Sequence, residues 1–270
     1  MDATSKYEDR IKLVWDNKRT GALVTAVFGV TQWEKAHPSV RSMTDRINFC
    51  RYHYREAIDM MNGYIAARLE KDGLLSVFND YDDFSRLMLK IRANFTAFIQ
   101  SLHAVADICS HMIYFSLSFD RDFKALKERD ISFKEVIKIL NRQSRAGHRE
   151  YDKLHSLFCE MTAGDGYKYL NALANTAKHR SIIRSELNED FTGERRKKWI
   201  LFLESFWYAG EFFDKADAEE FMQEEHDRIL PLIINIGSEL NAVLEKLQAC
   251  KHASMGVENV GLAPDSDADN

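Results

Sequence analysis

The sequence has few of the residues that build tight turns, with only 12 glycines and 3 prolines among 270 residues. Because β-sandwiches and barrels need many such turns, this scarcity favours long helices. A content of 45% hydrophobic and 29% charged residues excludes disorder or low complexity for all but the ends. The composition therefore predicts a mostly α fold, a multi-helix bundle forming a single helical domain over residues 1–252.

Paired cysteines and targeting segments are also lacking. The four cysteines show no CxxC or other paired spacing, and since most of them lie in apolar helical patterns, they are predicted to be reduced core thiols. The first residues are charged and lack the layout of a secretion signal. The longest early apolar stretch, residues 22–30, is far shorter than the ~20 residues of a membrane span. We therefore expect a cytosolic protein with no membrane partner.

Common catalytic signatures are missing as well. The sequence contains no P-loop, no GxGxxG after a strand, no GxSxG and no HExxH. The common nucleotide, hydrolase and zinc signatures are thus absent, which disfavours a familiar metabolic enzyme. No cofactor is expected on these grounds. A formal net charge of -5 excludes a surface built throughout for nucleic acid, although local basic patches are compatible with it.

Apolar residues recur at intervals of three and four along most of the chain, which is typical of helices with one buried face. The spacing and the capping residues predict helices over 44–71, 84–113, 132–141, 147–161 and 167–178, with a turn at 162–166, and a last helix from Asp214 or Asp217 through Leu247. Residues 253–270 are small, acidic and aperiodic, and are predicted to be a disordered tail.

The pattern changes to β-branched and aromatic residues over 181–187 and 199–208, with a polar turn between them. This indicates a small β-hairpin inserted in the bundle near residues 181–210. Because the second segment is apolar almost throughout, we expect both of its faces to be covered, by helices or by another protomer.

Three polar residues, His103, Asp107 and His111, follow one another at intervals of four on the predicted helix 84–113. This spacing places them on one face, as a metal site on a bundle helix requires. No second helix offers an ExxH partner, and apolar residues flank the set. We therefore expect these histidines to contact protein groups and to bind no metal.

A second polar stripe lies in the helix predicted after the turn. Asn171, Asn175 and then Lys178 or His179 fall on one face, beside alanines that allow close approach. Cations at the end of a helix also complement its dipole, and this alone can explain Lys178, His179 and Arg180.

The segment Asn175-Thr-Ala-Lys-His179-Arg180, late in a helical chain, resembles the RNase-type motif of the HEPN superfamily, which has an Arg, usually a polar residue, three further residues and a His. By position, Asn175 takes the polar place and His179 the histidine place, whereas Ala174 stands where the family has Arg. The resemblance implies that motif helices of two protomers face each other in a homodimer, and that Arg and His cleave RNA without a metal. Arg180 or Lys178 is then the candidate for the missing cation.

On this hypothesis His179, Asn175 and Arg180 are the catalytic candidates, because an imidazole titrating near neutrality can exchange a proton with RNA and a nearby cation can stabilise the transition state. We expect Asn175 and His179 to share a cleft. Cationic and imidazole side chains elsewhere are candidates for contacting the RNA backbone: Lys178, Arg184, Arg142, Arg145 and His148, with the basic run 195–198 steering it.

Two hypotheses of different classes follow. In the first, the chain is a HEPN-like protein that acts on or binds RNA, of the kind found in toxin–antitoxin or anti-phage systems, active or degenerate, with a cognate inhibitor or partner protein. In the second, it is a non-catalytic helical module that binds a partner chain or a small ligand through the aromatic hairpin and the polar stripe. A homodimer fits both.

Overall fold

The computed structural model describes residues 15–73, 75–182, 184–193 and 197–258. Most of these residues are helical, and a small antiparallel β insertion interrupts them, which confirms the predicted fold class. The α-helices are α1 (Asn17–Phe28), α2 (Val30–Tyr64), α3 (Glu70–Asp72), α4 (Leu75–Asn79), α5 (Tyr81–Ser116), α6 (Phe133–Arg145), α7 (Asp152–Met161), α8 (Gly164–His179) and α9 (Ala218–Glu258). A π-helical segment, Ile65–Leu69, joins α2 to α3, and short 3-10 turns flank α6.

The chain divides into two compact units. Among the described residues, unit 1 contains 15–40, 109–158 and 233–258. Unit 2 contains 41–108 and 159–232, apart from the gaps given above. The single-domain boundary at residue 252 stays a prediction.

Unit 1 is helical, and its core is formed by one face of each helix. Phe133 and Phe158 stack nearly parallel with ring centroids 4.9 Å apart. Ser132 caps α6 as predicted, because its hydroxyl accepts a hydrogen bond from the amide of Glu135 at 3.4 Å. The fully buried side chains of this core include Val24, Met112, Ile113, Val136, Leu140, Leu154, Ile236 and Leu240.

Unit 2 contains the β insertion. Strand β1 (Ser185–Glu189) pairs antiparallel with β2 (Trp199–Leu203), which also pairs with β5 (Ala216–Asp217). All five side chains of β2 are buried, as its continuous apolar sequence predicts. Asp217 then caps α9 as expected, since its carboxylate accepts hydrogen bonds from the amides two and three residues later.

The second predicted strand is not continuous. The chain leaves β2 at Leu203, and β3 (Phe206–Tyr208) pairs with β4 (Glu211–Phe213) in a separate two-stranded sheet. Successive side chains of β3 point to opposite faces, and Trp207, on the face opposite to Phe206, is 58% exposed. Within one chain, the face of β3 that carries Trp207 is therefore not covered by helices of the described residues, and its cover by another protomer stays a prediction.

Two further sequence predictions need correction. Helix α9 continues to Glu258, into the segment predicted to be disordered, and residues 259–270 lie outside the described part of the chain. Cys50 and Cys109 are buried, as predicted, and burial raises the pKa of the Cys50 thiol to about 12. Cys159 and Cys250 are exposed, because each falls on the outward face of its helix.

Over the described residues, every helix is too short or too polar to cross a membrane.

Candidate functional site

Helix α8 carries the motif on which the sequence analysis rests. It begins at Gly164, three residues earlier than predicted from Tyr167, and ends at His179. Its buried face includes Leu170, Leu173 and Ala174, and Ala174 has no exposed surface. The position that holds Arg in the HEPN motif therefore lies in the core of unit 2, where a guanidinium group would have no access to solvent.

A hydrogen-bonded network joins α8 to α5. Nε2 of His103 lies 3.0 Å from Oδ1 of Asn171. Asn175 donates from Nδ2 to the same oxygen at 2.9 Å and to the main-chain oxygen of Asn171 at 2.9 Å. Because the Asn171 oxygen is an acceptor, His103 must donate from Nε2, which leaves Nδ1 as the bare nitrogen of a neutral ring. The two polar stripes that the sequence placed on different helices thus meet here.

The surroundings of His103 keep this ring neutral. Its ring lies parallel to that of Tyr167, 6.4 Å away. Burial lowers the pKa of His103, and the charge of Lys178 lowers it further, against opposing effects of Asn171 and Asp107. Nδ1 is buried and has no hydrogen-bond partner among the described residues. The neutral imidazole of His103 therefore holds Asn171, and through it Asn175, in place.

The histidine network predicts a pH dependence of stability. Since the folded-state pKa of His103 lies below its unfolded value, the unfolded chain binds more protons between the two values, and stability is lost as pH falls below about 6.5. Burial lowers the pKa of His226 as well, so this group acts in the same direction. We expect His103→Gln to reduce, without abolishing, the loss of unfolding free energy between pH 7.5 and 5.5, measured by urea titration. His252→Gln, at an exposed position, should retain the wild-type dependence; equal slopes in all three proteins would refute the assignment.

The predicted catalytic residues differ in their exposure to solvent. Asn175 is half-buried and its amide is engaged by Asn171, whereas His179 is exposed at the end of α8. Within one chain, Asn175 is thus partly covered and His179 is not, and the cleft that the two residues were expected to share stays a prediction. Arg180 is also exposed and donates from Nη1 to the main-chain oxygen of Trp207 at 3.3 Å. The catalytic roles of these residues stay predictions.

The bond from Arg180 leads to an aromatic pair that the sequence analysis missed. Trp207 and Phe212 lie directly opposite each other on β3 and β4, with ring centroids 5.3 Å apart, and are 58% and 48% exposed. Their strand neighbours Phe206 and Phe213 face the other way and pack on Tyr169. The signal in the sequence was the two-residue turn Ala209-Gly210, because in a hairpin that closes there consecutive aromatic residues of each strand point to opposite faces.

The remaining RNA-binding candidates are divided between the two units. Lys178 and Arg184 are exposed in unit 2, on either side of the end of α8. Arg142, Arg145 and His148 belong to unit 1, at and after the end of α6. There Arg142 forms an ion pair with Asp122 at 3.0 Å, and His148 contacts Glu150 at 3.3 Å.

The basic run 195–198 is only partly described. Arg195 and Arg196 lie outside the described residues. Lys197 pairs with Glu219, and Lys198 pairs with Glu189 at 3.0 Å. Both described lysines are therefore offset by carboxylates of unit 2, which weakens their ability to steer RNA.

Within the described ranges, no group of three or more His, Cys, Asp or Glu side chains is placed to hold a metal ion. His111, predicted to contact protein groups, lies against the ring of Phe115.

In comparisons with known proteins, no family model, no curated protein and no solved structure matches the chain. The HEPN resemblance accordingly rests on the motif of α8 and on the helical architecture.

Proposed function

We propose that the chain binds single-stranded RNA on unit 2, through a surface formed by the end of α8 and the β3–β4 hairpin. The observation that carries the proposal is the exposed pair Trp207 and Phe212, tied to the cationic end of α8 by the bond from Arg180. Nucleic-acid bases stack on exposed aromatic rings, and adjacent cations hold the phosphates between them.

The charge of this surface supports an anionic ligand. Lys178 lies in the last turn of α8, Arg180 directly after that helix and Arg184 directly before β1. All three are exposed, and His179 lies between the first two. The acidic residue closest to Phe212 in sequence, Glu211, is paired with Lys168 and so adds little repulsion. A local basic surface of this kind is compatible with the net charge of -5, because phosphate contacts act over a short range in physiological salt.

Ala174 is the reason why we propose RNA binding and not RNA cleavage. Metal-independent cleavage by a HEPN-type motif uses an Arg at this position, and the fully buried Ala174 offers neither the charge nor the space. Binding through stacked bases and phosphate contacts does not need that group. We therefore infer an RNA-binding protein with a degenerate HEPN-like motif, in which a homodimer would double the binding surface.

The proposal predicts distinct effects of two substitutions on binding to a fluorescent 15-nucleotide oligouridylate, followed by anisotropy. Trp207→Ala should weaken binding about tenfold at low and high salt, because it removes one stacking platform. Arg180→Gln should weaken binding and reduce the slope of log affinity against log salt by about 1, because it removes one phosphate contact.

Matched variants control for exposed aromatic and basic residues in general. Phe78 is 78% exposed on α4, and Arg86 is exposed on α5, so Phe78→Ala and Arg86→Gln should bind like the wild type. Equal losses in the controls, or no binding by the wild type, would refute the proposal. The same reactions, run on a denaturing gel, test cleavage: oligouridylate cut by the wild type and left intact by His179→Ala would replace RNA binding with ribonuclease activity.

A further inference from the structure

Unit 1 contains a pocket that the proposed function does not use. Its volume is about 380 Å³, which falls in the range of small-molecule sites. The ends of α1 and α6, the segment that follows α5, and α9 all contribute to its wall. Apolar side chains, Phe28, Phe119 and Leu247, line it together with the polar side chains of Ser118, Gln143 and Tyr151.

Ser118 is the unusual residue in this wall. Its main chain has φ 57°, a left-handed conformation that non-glycine residues rarely adopt. Its side chain is 9% exposed, and its hydroxyl oxygen is buried without a hydrogen-bond partner among the described residues. A buried hydroxyl that lacks a partner is costly, and a ligand that hydrogen-bonds to it would remove that cost. Backbone strain and a buried hydroxyl without a hydrogen-bond partner, both at Ser118, therefore indicate a position that binds a ligand.

The charges around the pocket favour an anion. Arg121 lines it and is anchored by a hydrogen bond from Nη1 to the main-chain oxygen of Phe28 at 3.2 Å. Asp122, also in the wall, is neutralised by Arg142 at 3.0 Å. His148 at the edge is held by Glu150 at 3.3 Å, so these two groups offset each other when the ring is protonated. The guanidinium group of Arg121 is thus left as the cation that an incoming anion would meet.

The aromatic side chains favour a ligand with a planar ring. Tyr151 lies against Phe119 with ring centroids 6.1 Å apart, and both residues line the pocket. Burial raises the pKa of Tyr151 to about 12, so its hydroxyl stays protonated and can donate a hydrogen bond to an anion at neutral pH. The Gln143 amide offers both a donor and an acceptor, as the edge of a heteroaromatic ring requires.

We propose that this pocket binds an aromatic monophosphate of the size of a nucleoside monophosphate. The phosphate contacts Arg121 and the hydroxyl of Ser118, and the ring packs between the aromatic side chains and Gln143. This site is independent of the RNA surface proposed on unit 2, because its residues all belong to unit 1.

Isothermal titration of the full-length chain with adenosine 5′-monophosphate tests this site. We expect saturable binding of adenosine monophosphate, and at least tenfold weaker binding of adenosine and of inorganic phosphate, because each supplies only half of the contacts. Ser118→Gly should weaken binding about tenfold by removing the hydroxyl, and it should fold, because glycine accepts φ 57° without strain. Arg121→Gln should weaken binding by a similar factor through loss of the cation.

Arg129→Gln provides the matched control. Arg129 belongs to unit 1, is exposed and pairs with its neighbour Asp130, so this variant should bind like the wild type. Absence of binding at 1 mM nucleotide, or equal affinities of the wild type and Ser118→Gly, would overturn the proposal. Stronger binding of adenosine than of its monophosphate would assign the pocket to neutral aromatic ligands and would also overturn it.

Discussion

Gly166→Ala should lower the free energy of unfolding by about 3 kcal/mol, which is at the upper end of the range for overpacking in a core. A Cβ atom at this position would lie 1.9 Å from Oε1 of Glu225. The carboxylate cannot easily withdraw, since Glu225 is 3% exposed and accepts two hydrogen bonds from Arg228, at 3.0 and 2.8 Å. To admit the methyl group, the ion pair must break or α8 must shift.

A double-mutant cycle separates this clash from a general loss of helix stability. Glu225→Ala alone should also destabilise the chain, because it leaves Arg228 without its buried partner. In the Gly166→Ala background the carboxylate is already displaced, so the double variant should be more stable than the sum of the two losses by at least about 1 kcal/mol. Urea unfolding of the four proteins measures this coupling.

Gly63→Ala is the matched control. Gly63 is an exposed residue of α2, and an added Cβ would meet nothing within 4 Å. Alanine is a better helix former than glycine, so this variant should be slightly more stable than the wild type, by up to about 1 kcal/mol. A Gly166→Ala variant as stable as Gly63→Ala, or strictly additive losses in the cycle, would contradict the packing of Glu225 against α8.

The arrangement around Gly166 shows where sequence patterns stop being informative. The glycines at 164 and 166 predicted a turn that lasts to residue 166. The structure has a shorter turn, because α8 already begins at Gly164. Glu225 lies 59 positions along the chain from Gly166, and its neighbours Arg228 and Met161 are joined by a hydrogen bond of 3.1 Å. Nothing in the local pattern of either segment reports that contact, because it depends on how α7, α8 and α9 pack.

The same limit applies to the candidate site. Apolar spacing was sufficient to predict α5 and α8 and to place Asn171, Asn175 and His103 on polar stripes. It could not show that His103 bonds to Asn171, since helix packing selects which stripes meet. Helix α8 also ends at His179, one residue beyond the predicted Lys178, since helix ends are the least predictable part of such patterns.

The aromatic pair was missed for a different reason. The run from Phe206 to Tyr208 was treated as part of one buried strand, because its continuous apolar character is typical of such strands. Read with period two across the turn at Ala209-Gly210, the same residues separate into an inward pair and the outward pair Trp207 and Phe212. The turn residues therefore carried the information that hydrophobicity alone did not.

Gly237→Ala should also lower the free energy of unfolding by about 3 kcal/mol, this time in unit 1. An added Cβ would lie 2.3 Å from Cγ of Trp15 and 2.4 Å from Cδ2, and an indole ring cannot bend out of the way. Trp15 is 8% exposed. Its indole ring is also held by a hydrogen bond, which Nε1 donates to the hydroxyl of Thr20 at 2.9 Å. That hydroxyl donates in turn to Asn241 at 2.7 Å, so displacing the ring disrupts a buried hydrogen-bond chain.

Tryptophan fluorescence and urea unfolding together test this second clash. In Gly237→Ala the emission should shift to longer wavelength, as Trp15 leaves its buried position, and the unfolding midpoint should fall. Trp15→Ala removes the ring and should itself destabilise the chain through the cavity it leaves. In the Trp15→Ala background, Gly237→Ala should cause no further loss of unfolding free energy, because the atoms with which its methyl group collides are gone. It should even stabilise the helix slightly, since alanine has a higher helix propensity than glycine. An unchanged emission maximum and midpoint in Gly237→Ala would show that the indole of Trp15 does not pack on α9.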